Sequence, residues 1–308
     1  MADRTTVALS AAVAGGALVA LQARVNGQLA QDLHDSLLAA VVSFGSGLVV
    51  VAAVVLARRP ARQAWPLVGS VPWWTRLGGV GGAVLVAVGA YAAPRIGVAL
   101  LTVALVAGQT TGGLLVDRAG LGPSGRHAVT APRLAGAALC LVAVLLSVLG
   151  KGAGNAHLLL LAAVVGAGLL ISLQQALNGR VRKATANAAV ATLVNFLVGT
   201  AVLVVAYGAF SSGAGGHWPG AAHWWLYSGG ILGAFFVAVA AVIVRSLGVL
   251  RLGLASVAGQ LVGAVVLDAV APSGSRGVAA STVVGTLLTF LAVAVSGRPT
   301  RSAPAVST

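Results

Sequence analysis

The sequence predicts an all-α polytopic membrane protein with ten transmembrane helices arranged as two inverted five-helix repeats. Three observations predict it. First, 58% of the 308 residues are hydrophobic and 8% are charged, with a mean hydropathy of +0.99. Soluble domains carry about 25% charged residues and disorder needs low hydrophobicity, so both classes are excluded. Second, the apolar residues form continuous windows of about 20 residues, the length at which a helix crosses a bilayer. Third, the chain overlays on itself at an offset of about 150 residues.

The windows run in order over about 6–26, 36–57, 73–93, 97–116, 131–150, 157–178, 188–209, 224–244, 249–267 and 278–296. Arg58-Arg59-Pro60 closes the second. Gly120-Leu121-Gly122-Pro123-Ser124-Gly125 separates the fourth from the fifth, and Ser211-Ser212-Gly213-Ala214-Gly215-Gly216 the seventh from the eighth. The runs do not alternate with period two, which argues against membrane strands. The first window is basic-then-apolar like a signal peptide. However, Asp3 sits beside Arg4, no A-x-A site follows, and the window's repeat mate lies mid-chain. It is therefore expected to be a retained helix.

The repeat is carried by residues that composition alone would not align. Leu21-Gln22-Ala23-Arg24-Val25-Asn26-Gly27 meets Leu173-Gln174-Gln175-Ala176-Leu177-Asn178-Gly179. Phe44 and Gly47 meet Phe196 and Gly199, and Trp73-Trp74 meets Trp224-Trp225. Val106-Ala107-Gly108-Gln109 meets Val257-Ala258-Gly259-Gln260, and Asp117 meets Asp268. The expected organisation is residues 1–152 as the first five-helix repeat, 153–297 as the second, and 298–308 as a short polar tail.

Five is odd, so the copies should enter the membrane in opposite directions. The basic residues test this independently through the positive-inside rule. With the N-terminus in the cytoplasm, 15 of the 19 Lys and Arg fall on the cytoplasmic side, and the other four are Arg24, Arg95, Lys151 and Arg276. Matched loops also exchange charge: the turn after Asn26 is nearly free of basic residues, while the turn after Asn178 holds Arg180, Arg182 and Lys183. The net charge of +14 and pI near 11.9 thus read as topology. The basic residues form no stripe, so nucleic acid is not an expected partner. Both termini are expected in the cytoplasm. Inverted repeats supply a route to alternating access, so a secondary transporter leads.

These motifs resemble the drug/metabolite transporter superfamily, of the DMT/EamA type, and within it the YdcZ-like branch of bacterial inner-membrane proteins. The match is carried by Leu21 to Gly27 followed by Ala39 to Phe44, by the copy around Asn178 and Phe196, and by Gly108-Gln109 followed by Leu115-Val116-Asp117-Arg118-Ala119-Gly120. The resemblance implies a permease in the bacterial cytoplasmic membrane. Its first four helices of each repeat would surround a pathway, with the fifth and tenth packed behind. One departure matters. Small four-helix members of the superfamily use a membrane-embedded Glu in the first helix for proton and cation coupling. This chain has five Asp and no Glu, and no carboxylate between Thr5 and Gln31. Cation export by that mechanism is disfavoured, and a neutral or anionic cargo is the more natural one.

Polar side chains inside spans are costly and often functional. Gln109 and Gln260 fall at one depth near the midplane, each amide offering donors and an acceptor suited to a neutral polar or zwitterionic solute. The competing reading is interhelical glue. Gln22 and Asn26 share a helix face, as do Gln174 and Asn178. They read either as gate elements or as helix-ending Asn-Gly caps. Ser43 and Asn195 are matched beside Phe44 and Phe196 and are expected to line the cavity. Asp117 and Asp268 are candidates for carrying a coupling proton, the alternative being an interfacial Asp paired with a neighbour such as Arg118. The Trp pairs sit where interfacial belts form. The five His lie in connections or span ends without metal-ligand spacing, and the one cysteine, Cys140, reads as helix packing. No cofactor, metal or catalytic group is expected. The alternatives to a transporter are a non-transporting scaffold or partner subunit, and a lipid-handling membrane protein. A homodimer is one assembly open to such a bundle.

Overall fold

In lipid every backbone N–H and C=O needs a partner within the protein, and continuous apolar windows meet that need as helices. The computed structural model describes residues 2–123, 125–126, 130–148, 155–211, 218, 220–271 and 280–296, with the side chains of 237–254 outside that description. The elements in order are α1 (Ala2–Asp32), α2 (Ser36–Ala57), a short α3 (Arg59–Ala64), 3₁₀ helices Trp65–Ser70 and Trp73–Gly78, α4 (Gly79–Ile96), α5 (Val98–Ala119), α6 (Ala131–Val148), α7 (Asn155–Thr185), α8 (Ala188–Phe210), a 3₁₀ helix Ala221–Ser228, α9 (Gly229–Val270) and α10 (Ala280–Ser296). Among the described residues there are no strands, and six helical stretches are long and apolar enough to cross a membrane. Shorter apolar helices occupy Leu134–Leu146, Ala255–Val270 and Val283–Ala292. Lys151, His127, His217, Ser124, Ser212, Arg276 and the tail 298–308 lie outside the described residues.

One expectation needs correction. Asn26-Gly27 and Asn178-Gly179 do not end their helices, because α1 continues to Asp32 and α7 to Thr185. The real ends use a different device, written twice. His34 (φ 53°) and Ala186 (φ 50°) take left-handed backbone and stop α1 and α7. The next residues then cap the following helices. Asp35 accepts from the N–H groups of Leu37 and Leu38, and Asn187 from those of Ala189 and Val190. Asp35→Ala and Asn187→Ala are each expected to cost about 1 kcal/mol, the usual worth of such a cap, read as a lowered melting temperature in detergent.

The repeat reappears as contacts that occur twice with the halves exchanged. A Cβ on Gly108 of α5 would meet the Val165 carbonyl of α7, and one on Gly259 of α9 would meet the Val13 carbonyl of α1. Gly112 lies against Leu169, and Gly263 against Ala17. In both cases two glycines four residues apart let the backbones touch, the small-xxx-small arrangement of membrane helices. Nearer the centre, Gly47 faces Phe196 and Gly199 faces Phe44. The two rings meet at 5.1 Å and 41°. The first span of each copy is thereby packed against the fourth of the other. Behind them, α6 packs along α10.

The stretch of helical turns Gly229–Val270 covers both of the windows expected there. Its contacts still divide into two legs. Gly229 abuts Asn26 and Gly233 abuts Gln22, so the first leg runs against α1. Gly259 abuts Val13 and Gly263 abuts Ala17, so the second runs with it. A straight helix would separate Gly233 from Gln260 by roughly 40 Å, whereas their partners Gln22 and Gly16 on α1 are roughly 9 Å apart. The chain therefore folds back between the legs. In the first copy the matching reversal is local and explicit: Gly97 (φ 81°) breaks α4 from α5.

Candidate functional site

A cavity of about 50 Å³ lies between α1, α4, α5 and the second leg of α9. About 10–15 Å³ of such space holds one water, so it admits several waters or a small functional group. Gln22 and Asn26 project from α1, Thr102 from α5 and Gln260 from α9. The rest of the wall is aliphatic. The expected pairing of Gln109 with Gln260 at one site is not what the structure shows. Gln260 is buried and lines this cavity, whereas Gln109 is outside it and its backbone carbonyl accepts the Ser172 hydroxyl at 2.7 Å.

The cavity sits where the first copy carries the smaller residues. Val19, Ala20 and Ala23 line it, and the matched positions in the second copy are Ile171, Ser172 and Gln175. That size difference is present in the sequence, at positions where the two copies are not matched in polarity.

The Asn clusters are matched in position and unlike in bonding. Asn178 Nδ2 donates to Asn195 Oδ1 at 2.9 Å, beside Gly78. In the first copy the corresponding residues are Asn26 and Ser43, beside Gly229. The shorter Ser43 does not reach across. Asn26 Oδ1 and Ser43 Oγ are both buried without a hydrogen-bond partner, on residues 2% and 1% exposed. An unpaired buried polar group costs about 1–3 kcal/mol; these two oxygens lie against Gly229, and neither Ser43 nor Asn195, both expected to line the cavity, is part of its wall. Gln22 rests on Gly233 as Gln174 rests on Gly82, and Gln174 Oε1 is likewise buried and unpaired.

The two matched acids also differ. Asp268 is buried, and its carboxylate accepts from the backbone N–H groups of Val98 (3.0 Å) and Ala99 (2.8 Å). It caps the start of α5 from the other repeat, at the point where Gly97 breaks the chain. A carboxylate on the first N–H groups also complements the helix dipole. A Cβ at Gly97 would come within 2.8 Å of Asp268 Oδ2, so glycine is needed there both for its φ and for this approach. At the other end of α5, Arg180 donates from Nε to the Leu121 carbonyl (2.7 Å) and from Nη2 to that of Gly120 (2.8 Å). Its guanidinium lies 5.1 Å from the centre of the Trp74 ring. Thus α5 is held at its N-terminus by an acid and at its C-terminus by a base, both from the second repeat. Asp117 is half-buried near the C-terminal end of the same helix, with its backbone carbonyl accepting from Gly120.

Trp73 and Trp224 are both 71% exposed, as belt residues would be. Cys140 is buried, with its Sγ 3.8 Å from Thr110 Oγ1. Among the described residues no three His, Cys, Asp or Glu side chains cluster as a metal site.

Comparison with known proteins adds the family. The family model described as "Putative inner membrane exporter, YdcZ" matches residues 7–146 and again 158–297. A solved structure described as "Crystal structure of protein" is similar in fold, at 19% identity over 95% of this chain and 96% of that one, with a TM-score of 0.58. No curated protein matches the sequence.

Proposed function

The chain belongs to the YdcZ family of inner-membrane exporters, and on that premise we propose that it moves a small metabolite or drug-like solute across the cytoplasmic membrane by alternating access. In this reading ten helices form two inverted repeats, with both termini in the cytoplasm. The observation that carries it is the set of contacts that recur with the halves exchanged, Gly108 and Gly112 of α5 against α7 and Gly259 and Gly263 of α9 against α1. Around them, Asn178 and Asn195 are bonded to each other, while Asn26 Oδ1 and Ser43 Oγ are buried and unpaired. Two similar halves joined by matched contacts can exchange conformations, which would open a central cavity to each side in turn. Gln22, Asn26, Ser43 and Gln260 form the pathway at one end, and Gln174, Asn178 and Asn195 at the other, with Gln109 between helices. The Asp268 carboxylate, committed to two backbone donors, serves the fold in this scheme. Asp117 remains the candidate for coupling.

The test is efflux from proteoliposomes loaded with labelled metabolite pools. Export above that of empty vesicles is expected for at least one pool, and Gln260→Ala should weaken that flux by about tenfold, the value of one buried hydrogen bond. Failure of every pool, from protein shown to be folded, would leave the scaffold reading in its place.

A further inference from the structure

We infer that the connection from α2 to α4 lies in the lipid headgroup layer, and that its Arg58, Arg59 and Arg62 hold the phosphate of an anionic phospholipid. The inference goes beyond the exporter reading and requires no transport. Placement is its first support. The 22 residues of α2 rise about 33 Å, enough to cross a hydrocarbon core of about 30 Å, so Arg58 follows at the edge of that core. Ala61, Ala64, Val68 and Val71 are spaced three and four apart and are buried, in one apolar cluster with Val51 and Val55 of α2 and Val190 of α8. That face fastens the connection to the bundle. Arg58, Arg59 and Arg62 are exposed, and so are Trp65, Leu67, Trp73 and Leu77. Exposed rings interleaved with arginine suit the headgroup layer, where an apolar body and a charge both find a partner.

Charge is the second support. No Asp or Glu occurs between Asp35 and Asp117. Arg62 Nη1 donates to the Leu56 carbonyl, and Arg76 Nη2 to those of Gly69 and Val71, so these two tie the connection together. The side chains of Arg58 and Arg59 make no hydrogen bond or ion pair among the described residues. Arg59 and Arg62 are three apart on α3 and share a face, and the Leu56 carbonyl takes one of the five N–H donors of Arg62. A phosphate is the anion that such planar forks match. The second copy supplies a contrast. Its matched Trp224 and Trp225 are also exposed, yet no Lys or Arg occurs between Lys183 and Arg245. The Trp-Trp turn thus forms without arginines, and those of the first copy are available to a ligand.

The experiment is native mass spectrometry of the full-length protein in detergent, titrated with phosphatidylglycerol, with phosphatidylethanolamine or with sn-glycerol 3-phosphate. Phosphatidylglycerol is expected to bind about thirtyfold more tightly than phosphatidylethanolamine, the worth of two interfacial arginines. Glycerol phosphate, which has the charge without the acyl chains, should bind far more weakly than phosphatidylglycerol. Arg58→Gln combined with Arg59→Gln should bring phosphatidylglycerol down to the level of phosphatidylethanolamine, with an unchanged melting temperature. Should that protein fail to fold, Arg59→Gln alone should weaken phosphatidylglycerol about fivefold. Arg118→Gln combined with Arg126→Gln removes two exposed arginines near the end of α5 and should leave the affinity unchanged. Phosphatidylglycerol binding no more tightly than phosphatidylethanolamine, or a folded Arg58/Arg59 variant binding it like the wild type, would overturn the site. So would an equal loss in the Arg118/Arg126 variant, which would make the effect one of net charge, or glycerol phosphate binding as tightly as the lipid.

Discussion

Asp268→Ala is expected to lower the stability of the folded protein by roughly 2–5 kcal/mol, because two buried backbone donors lose their partner at once. Val98 and Ala99 open α5, and their N–H groups have no carbonyl four residues back to bond, since the chain breaks at Gly97. The carboxylate that serves them comes from 170 residues away, so its loss also unties the second repeat from the first. Asp268→Asn keeps one amide oxygen as acceptor and should recover about half the loss. Thermal unfolding in detergent reads both. A proton carrier would behave differently: Asp268→Asn would then abolish coupled flux in a protein as stable as the wild type.

The second large effect concerns the glycines through which α5 touches α7 and α9 touches α1. Gly108→Leu and Gly259→Leu are expected to abolish or greatly reduce the yield of folded protein. Overpacking a core usually costs about 1–3 kcal/mol, and here the neighbour that must yield is backbone, the Val165 and Val13 carbonyls. The two substitutions should be similarly severe because the contacts are repeat-related. Gly113→Leu is the control. It lies one residue past the Gly108/Gly112 stripe with nothing within 4 Å of an added Cβ, and removing a helical glycine gains about 0.5–1 kcal/mol. Size-exclusion chromatography of the three proteins separates these outcomes.

Much of this architecture was legible before any coordinates. The windows expected at 36–57, 131–150, 188–209 and 278–296 match α2, α6, α8 and α10 to within two residues, because a helix in lipid has to be apolar along its length. The repeat was legible because Gln, Asn, Trp and Asp are scarce here and recur in register. What the sequence hid was of two kinds. Contacts across the repeats, such as Asp268 capping α5, join residues that no periodicity relates. Of the two readings of Asn26 and Asn178, gate element or helix end, the second rested on Asn-Gly being a common stop, yet the positive φ came later, at His34 and Ala186. The inequality of the two halves was hidden for another reason. Matched motifs suggest equal sites, whereas Ala20 against Ser172 and Ala23 against Gln175 favour a cavity in the first half, and Ser43 against Asn195 leaves Asn26 without the bond that Asn178 makes.

Alternating access makes the most direct demand on the two ends of the bundle. Spin labels on His34→Cys with His223→Cys report one end, and on Ala186→Cys with Pro72→Cys the repeat-related other, all four being exposed positions. Cys140 is buried and can be replaced by Ser to keep the background clean. Electron–electron resonance distances should be measured for each pair in liposomes, with and without the solute whose efflux the vesicles establish. The account predicts that solute moves the two distance distributions in opposite directions, one end opening as the other closes. Both distances staying fixed, or both shifting the same way, would contradict it.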